Sequence, residues 1–203
     1  MAKQQVRKFQ FASHNRTLNE IKSYYDKMLS SLEYKYSRNH NPLYAEMFAD
    51  MSEAAVEREL GELKEELSLE GSFELLSFLE KEFRTDCYLR CKGRFRDELS
   101  RGFKRAFDEV GHVQYRIPLL DVIVEGWKQQ LLSDTPHDAE TLAFFSGISD
   151  IFNFRNWMAH GRYWEFSYSR GKHHFDSIWL MVNHVEDVLG DSFKRNEPIG
   201  EKA

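Results

Sequence analysis

The sequence predicts an all-α protein, and three observations predict it. Apolar side chains recur at intervals of three and four residues over most of the chain, which is the helical period. Only four prolines occur, so long segments are uninterrupted. Strand signals are nearly absent, although residues 163–169 could form a short extended arm. With 41% hydrophobic and 30% charged residues among 203, the composition is that of a globular protein.

The N-terminal part predicts a helical hairpin. Residues 14–37 form one amphipathic stripe, and residues 43–70 form a second one that is rich in good helix formers and ends at Gly71. We therefore expect residues 1–70 to be an N-terminal helical hairpin extension.

The rest of the sequence predicts a larger helical domain over residues 71–190. Ser72 would cap its first helix, and Gly190 would end its last. The expected helices span residues 72–89, about 95–110, 118–132, a segment that ends at 160, and 175–189. The tail, residues 191–203, is expected to be frayed.

The N-terminus has no apolar core and no small-residue cleavage site, and no run approaches the length that spans a bilayer. We therefore expect a cytoplasmic protein with no membrane association.

Charge is distributed unevenly. The net charge of −5 argues against a general nucleic-acid coat protein. Residues 46–82 carry twelve acids against three bases, whereas residues 84–105 carry eight bases against three acids. A solvated helix face is the ordinary explanation of each run alone, but a basic run beside a second basic cluster would be more informative.

The two cysteines, Cys87 and Cys91, are four residues apart and would lie on one helix face. A metal site there would need two more ligands, so two reduced cysteines are favoured. We expect neither a metal nor another cofactor.

The stretch NFRNWMAHGRYW, residues 153–164, places an arginine among apolar residues. Helical projection puts Arg155 in the middle of the apolar side, while Asn156 and His160 lie four apart on the opposite side. Gly161 is the expected left-handed cap. Because a guanidinium stays charged, Arg155 must be paired, hydrogen-bonded or open to a cleft. The apolar side is formed by Phe144, Phe145, Ile148, Ile151, Phe152 and Ala159.

Basic and aromatic residues follow this helix end, and they suit a ligand with phosphates and stackable bases. The candidates for RNA binding are Arg162, Tyr163, Trp164, Arg170 and Lys172.

Each of these features also has a purely structural interpretation. Arg155 could be a core arginine paired with Asp150 or Glu82. His160 could be an ordinary helix-end histidine, and the tryptophans could belong to the core.

The arrangement Arg155, Asn156 and His160 near the end of the penultimate helix resembles the R-x4-6-H motif of the HEPN superfamily. The longer string FRNWMAHGRYW is also similar to a bacterial subgroup of HEPN-like proteins. The resemblance covers roughly residues 72–190 and implies an antiparallel helical bundle.

The resemblance also implies a function, a metal-independent endoribonuclease that dimerises so that two motifs face one cleft. Arg155 would hold the scissile phosphate, His160 would be the general acid or base, and Asn156 would orient the histidine or the phosphate. The implied setting is a toxin–antitoxin, stress or phage-defence system, with an antitoxin as a further partner. Two alternatives remain open: a non-catalytic HEPN-like module that binds nucleotide, RNA or a protein, and a structural helical protein whose Arg155 makes only an internal ion pair.

Overall fold

The computed structural model describes residues 16–133, 137–162, 165–167 and 169–195, with the backbone alone at Gln114 and Arg170. All regular structure in these ranges is helical, which confirms the all-α class. The helices are α1 (Leu18–Lys35), α2 (Tyr44–Met47), α3 (Glu53–Lys92), α4 (Glu98–Glu109), α5 (Glu125–Leu131), α6 (Ala139–Ala159), α7 (Arg170–His173) and α8 (Phe175–Leu189), with a 3-10 turn at Gln114–Arg116 and a π-helical turn at Leu119–Val124.

Four helices begin at a polar cap. The side chains of Thr17, Ser52, Asp97 and Asp138 each accept a hydrogen bond from the backbone N–H three residues further on. These bonds satisfy donors that the first helical turn would otherwise leave without partners. Asp97 thus fixes the start of α4 slightly later than the sequence predicts.

The N-terminal hairpin is confirmed, because α1 runs antiparallel to α3. Arg16, just before α1, pairs with Glu74 late in α3 (Nη1–Oε2 3.1 Å), whereas Glu33 near the end of α1 pairs with the earlier Lys64 (Oε1–Nζ 2.7 Å).

The predicted helix end at Gly71 is wrong, because α3 runs through this position without a break. Gly71 instead allows three helices to approach one another closely. A Cβ at Gly71 would lie 2.7 Å from the ring of Phe175 and 2.9 Å from the ring of Tyr25. Those two rings stack at 3.6 Å between centroids. The predicted boundary between the extension and the domain therefore falls inside one helix.

One hydrophobic core surrounds the second half of α3, which contacts α1, α4, α6 and α8. Fully buried members of that core include Leu75, Leu76, Leu79 and Phe83 from α3, Ile148 and Phe152 from α6, and Phe175, Ile178 and Val182 from α8.

The chain after α8 is packed over residues 191–195, so the frayed tail is wrong for that stretch. Phe193 is buried in the core, and the backbone N–H of Lys194 donates to Asp86 Oδ1 at 2.7 Å. Residues 196–203 lie outside the described part.

In the described ranges, none of the helices combines the length and the apolar character needed to cross a membrane.

Candidate functional site

The end of α6 closes with paired backbone hydrogen bonds. His160 is the C-cap residue directly after α6, and Gly161 adopts the left-handed conformation that its position predicts, with φ of +80°. The N–H of Gly161 donates to the carbonyl of Met158 at 3.1 Å, and that of Arg162 donates to Trp157 at 3.0 Å. These two bonds form a Schellman cap, which leaves the His160 side chain exposed at the tip.

Arg155 is ion-paired within the chain. Its Nη2 lies 2.8 Å from Oε2 of Glu80 on α3, and the side chains are 26% and 14% exposed. The guanidinium also lies over the ring of Phe73, 5.6 Å from its centroid. The partners suggested by the sequence, Asp150 and Glu82, are both wrong: Asp150 faces α7, and Glu82 faces the C-terminal segment.

Glu80 is shared between two arginines. Arg84, one turn along α3, donates its Nε to Glu80 Oε1 at 2.6 Å and its Nη1 to the carbonyl of Ile117 at 3.2 Å. The cluster of Arg84, Glu80 and Arg155 therefore keeps a net positive charge.

Arg155 has hydrogen-bonding capacity beyond this pair. Its Nη1 lies 3.5 Å from Oδ1 of Asn156, which is a weak hydrogen bond. Its Nε is buried and has no acceptor among the described residues, and an unsatisfied buried donor costs free energy.

Burial along α6 follows the predicted apolar side until the last turn. Phe145, Ile148 and Phe152 are buried, as predicted, but Ala159 is exposed. The last turn lies at the edge of the core, because Trp157 and Met158 still pack against it whereas Ala159 is exposed.

Arg162, a predicted RNA-binding residue, forms a bidentate ion pair with Glu66 of α3. The Nη2–Oε1 and Nη1–Oε2 distances are 2.9 Å and 3.1 Å. This hydrogen bonding holds the pKa of Glu66 below its usual value. The guanidinium also lies 5.8 Å from the ring centroid of Trp157.

The other predicted RNA-binding residues are described only in part. Tyr163, Trp164 and the side chain of Arg170 lie outside the described residues. Lys172 is exposed, with its Nζ 4.0 Å from Oδ2 of Asp150.

His173, next to Lys172, is buried and stabilises the fold. Its ring stacks on Phe154 at 4.6 Å, its Nδ1 accepts the backbone N–H of Ser169, and its Nε2 lies 3.5 Å from Asp150. Burial lowers the pKa of His173, although Asp150 opposes this effect. This histidine therefore belongs to the core and not to a ligand surface.

Sequence reasoning missed the two carboxylates that pair with the motif region, Glu80 and Glu66. They are fourteen residues apart, or about 21 Å along α3. Their partners Arg155 and Arg162 follow in the reverse chain order, so the end of α6 runs antiparallel to the acidic side of α3. The acidic run at 46–82 was the available signal, but a solvated face explained it equally well.

The cysteines are both reduced, Cys87 fully buried and Cys91 half-buried. A hydrogen bond between the thiols, together with burial, raises the pKa of Cys87, and the same bond lowers that of Cys91. Within the described ranges, no group of three or more potential metal ligands is present.

Comparison with known proteins finds no family model, no curated protein and no solved structure that matches the chain.

Proposed function

We propose that this chain is a metal-independent endoribonuclease of the HEPN type that acts as a cytoplasmic homodimer, in a toxin–antitoxin, stress or phage-defence setting. One observation supports the proposal most strongly. The end of α6 carries an exposed histidine, His160, and a half-buried asparagine, Asn156, whose Oδ1 lies 3.5 Å from Nη1 of Arg155. These are the three side chains on which the resemblance to the superfamily depends.

The chemistry follows from the substrate, because RNA carries its own nucleophile. One His160 removes the proton of the 2′-hydroxyl, and the 2′-oxygen forms a bond to phosphorus. The bond from phosphorus to the 5′-oxygen breaks, and a second His160 donates a proton to that oxygen. The products are a 2′,3′-cyclic phosphate and a 5′-hydroxyl. A positioned acid or base contributes about 10²–10⁴-fold to such a reaction, and histidine exchanges protons near neutral pH.

Arg155 would neutralise the charge that develops on the phosphorane, as preorganised cations do in other enzymes. In the free chain that guanidinium is bound to Glu80. A phosphate must therefore displace Glu80 from Arg155, and Arg84 provides for this exchange. Because Arg84 also binds Glu80, the carboxylate keeps a cationic partner when Arg155 turns to the substrate.

The geometry of the motif supports the proposed dimer. Arg155 and His160 are five residues apart and thus about 140° apart around the helix axis. The two side chains of one chain therefore point in different directions and do not readily contact the same phosphate. A two-fold axis between two chains would place the motif of one chain against the motif of the other. The pair of chains also supplies the two histidines that two proton transfers require.

The Arg155–Glu80 ion pair favours a second candidate function. If the pair persists when RNA is added, Arg155 makes only an internal ion pair, and the chain is a structural helical protein or a non-catalytic HEPN-like module that binds nucleotide, RNA or a protein partner.

Cleavage of end-labelled RNA by purified protein in EDTA tests the proposal. We expect products with 2′,3′-cyclic phosphate ends. A DNA strand of the same sequence should be bound but not cut, since it lacks the 2′-hydroxyl nucleophile. Cleavage of the DNA at a comparable rate would rule out this chemistry.

A further inference from the structure

A second positively charged surface lies at the far end of α3, where a short loop leads into α4. We call it the basic loop surface. Its members are Lys92, Arg94, Arg96, Lys104 and Lys194.

Two of these cations contact Phe95, one at its backbone and one at its ring. Lys104 donates its Nζ to the carbonyl of Phe95 at 3.3 Å. Lys194 lies with its Nζ 5.4 Å from the Phe95 ring centroid. Lys92, at the end of α3, lies over the ring of Phe107 of α4 at 4.9 Å. The cations are thus gathered from three chain segments onto one surface.

Acidic neighbours do not neutralise this surface. Over the described ranges, none of its five cations has a carboxylate within ion-pair distance. The nearest acids along the chain have other partners: Asp97 accepts from Arg90 at 3.2 Å, and Glu98 pairs with Arg101. In contrast, the cations Arg155 and Arg162 at the end of α6 are both paired with α3 carboxylates.

The loop is held in place at both of its ends. The Phe95 ring packs so closely on Gly93 that a Cβ there would lie 2.3 Å from the ring. Asp97 caps α4 and binds Arg90, which is itself buried. Arg94 and Arg96 lie between these two anchors and are exposed. Because the backbone of the loop is already fixed, binding there costs little further conformational entropy.

We propose that the basic loop surface binds the phosphate backbone of single-stranded RNA. Unpaired, clustered cations beside a partly exposed aromatic ring, with Phe95 37% exposed, suit a strand that offers both phosphates and bases. The inference rests on the proposed function, because it takes RNA as the ligand. Lys92 lies twelve residues from Glu80, or about 18 Å along α3, so this surface would bind the strand away from the cleavage site.

Fluorescence anisotropy with a labelled single-stranded 2′-O-methyl RNA tests this inference, because that strand cannot be cut by 2′-hydroxyl attack. The test variant is Arg94→Ala/Arg96→Ala. The matched control, Arg38→Ala/Arg58→Ala, removes two exposed arginines, one before α2 and one in the first half of α3. If both loop arginines contact phosphates, the double substitution should make the plot of log association constant against log salt concentration less steep by about 1.4. It should also weaken binding by about twentyfold at 0.1 M salt. Unchanged melting temperatures would confirm that both variants fold.

Equal weakening in test and control variants, or none in either, would overturn the inference. So would loop-dependent binding to phosphatidylserine vesicles combined with unchanged RNA binding. The proposed function fails separately: if wild type cuts no RNA while the loop variant still loses affinity, the nuclease is wrong and the binding surface stands. If RNA is cut through His160 while the loop variant binds normally, only this inference is wrong.

Discussion

The guanidinium of Arg155 on α6 and the carboxylate of Glu80 on α3 are joined by an ion pair of 2.8 Å at the edge of the core. Glu80 also binds Arg84, so it has two cationic partners. Any phosphate that binds Arg155 must therefore compete with Glu80.

Substitution Glu80→Gln removes this competition. The neutral amide should release Arg155 and increase affinity for uncut 2′-O-methyl RNA several-fold. It should also lower the free energy of unfolding by about 1–3 kcal/mol, because charged hydrogen bonds are weakened. Glu74→Gln, on the same helix in an exposed pair with Arg16, is the control and should change neither quantity greatly. A loss of stability with no gain in RNA affinity would identify a purely structural ion pair.

Substitution of two glycines in α3 tests the close approach of three helices. Gly71→Ala places a methyl group against Phe175 and Tyr25 and should destabilise the protein by about 1–3 kcal/mol. Gly61→Ala meets no atom within 4 Å and should stabilise it by about 0.5–1 kcal/mol, since alanine favours a helix. Urea unfolding measures both changes. A neutral Gly71→Ala would contradict the packing described here.

Acid should destabilise the fold through His173, whose pKa burial lowers from 6.5. The unfolded chain then binds the proton more readily than the folded chain does. The contribution of neutral His173 to the free energy of unfolding is therefore fully present above about pH 6.5 and is lost as the pH falls below that value. His173→Phe keeps a ring against Phe154 and should reduce the drop in unfolding free energy between pH 7.5 and 5.5. An identical drop in the variant would contradict the lowered pKa.

Light scattering tests the dimer. If two motifs form one site across a two-fold axis, the mass should be near twice the chain mass of 24.1 kDa at micromolar concentration. Specific activity should also fall on dilution. A monomer whose activity is linear in protein concentration would contradict the dimer.

Helix positions could largely be predicted from the sequence, because helical periodicity and caps are local signals. The Gly190 stop and the Gly161 cap are where the pattern places them. Gly71 was misinterpreted because a glycine that ends a helix and one that admits a neighbouring ring look the same in sequence. The difference lies in Tyr25 and Phe175, which are distant along the chain.

The candidate site was predictable only in part. Helical projection predicted that Arg155 must be paired, hydrogen-bonded or open to a cleft, and the structure shows it paired. It could not identify Glu80, because the choice among Glu80, Glu82 and Asp150 depends on how α6 lies across α3. That crossing is set by long-range packing, which no local pattern encodes.

The most direct test of the central claim is RNA cleavage in EDTA by wild type and three variants of unchanged helical content. His184→Ala, an exposed histidine on α8, is the matched control. We expect wild type and His184→Ala to cut at the same rate, whereas His160→Ala and Arg155→Ala should be slower by about 10²–10⁴-fold. Equal cleavage by all four proteins would indicate a contaminating nuclease and would contradict the assignment.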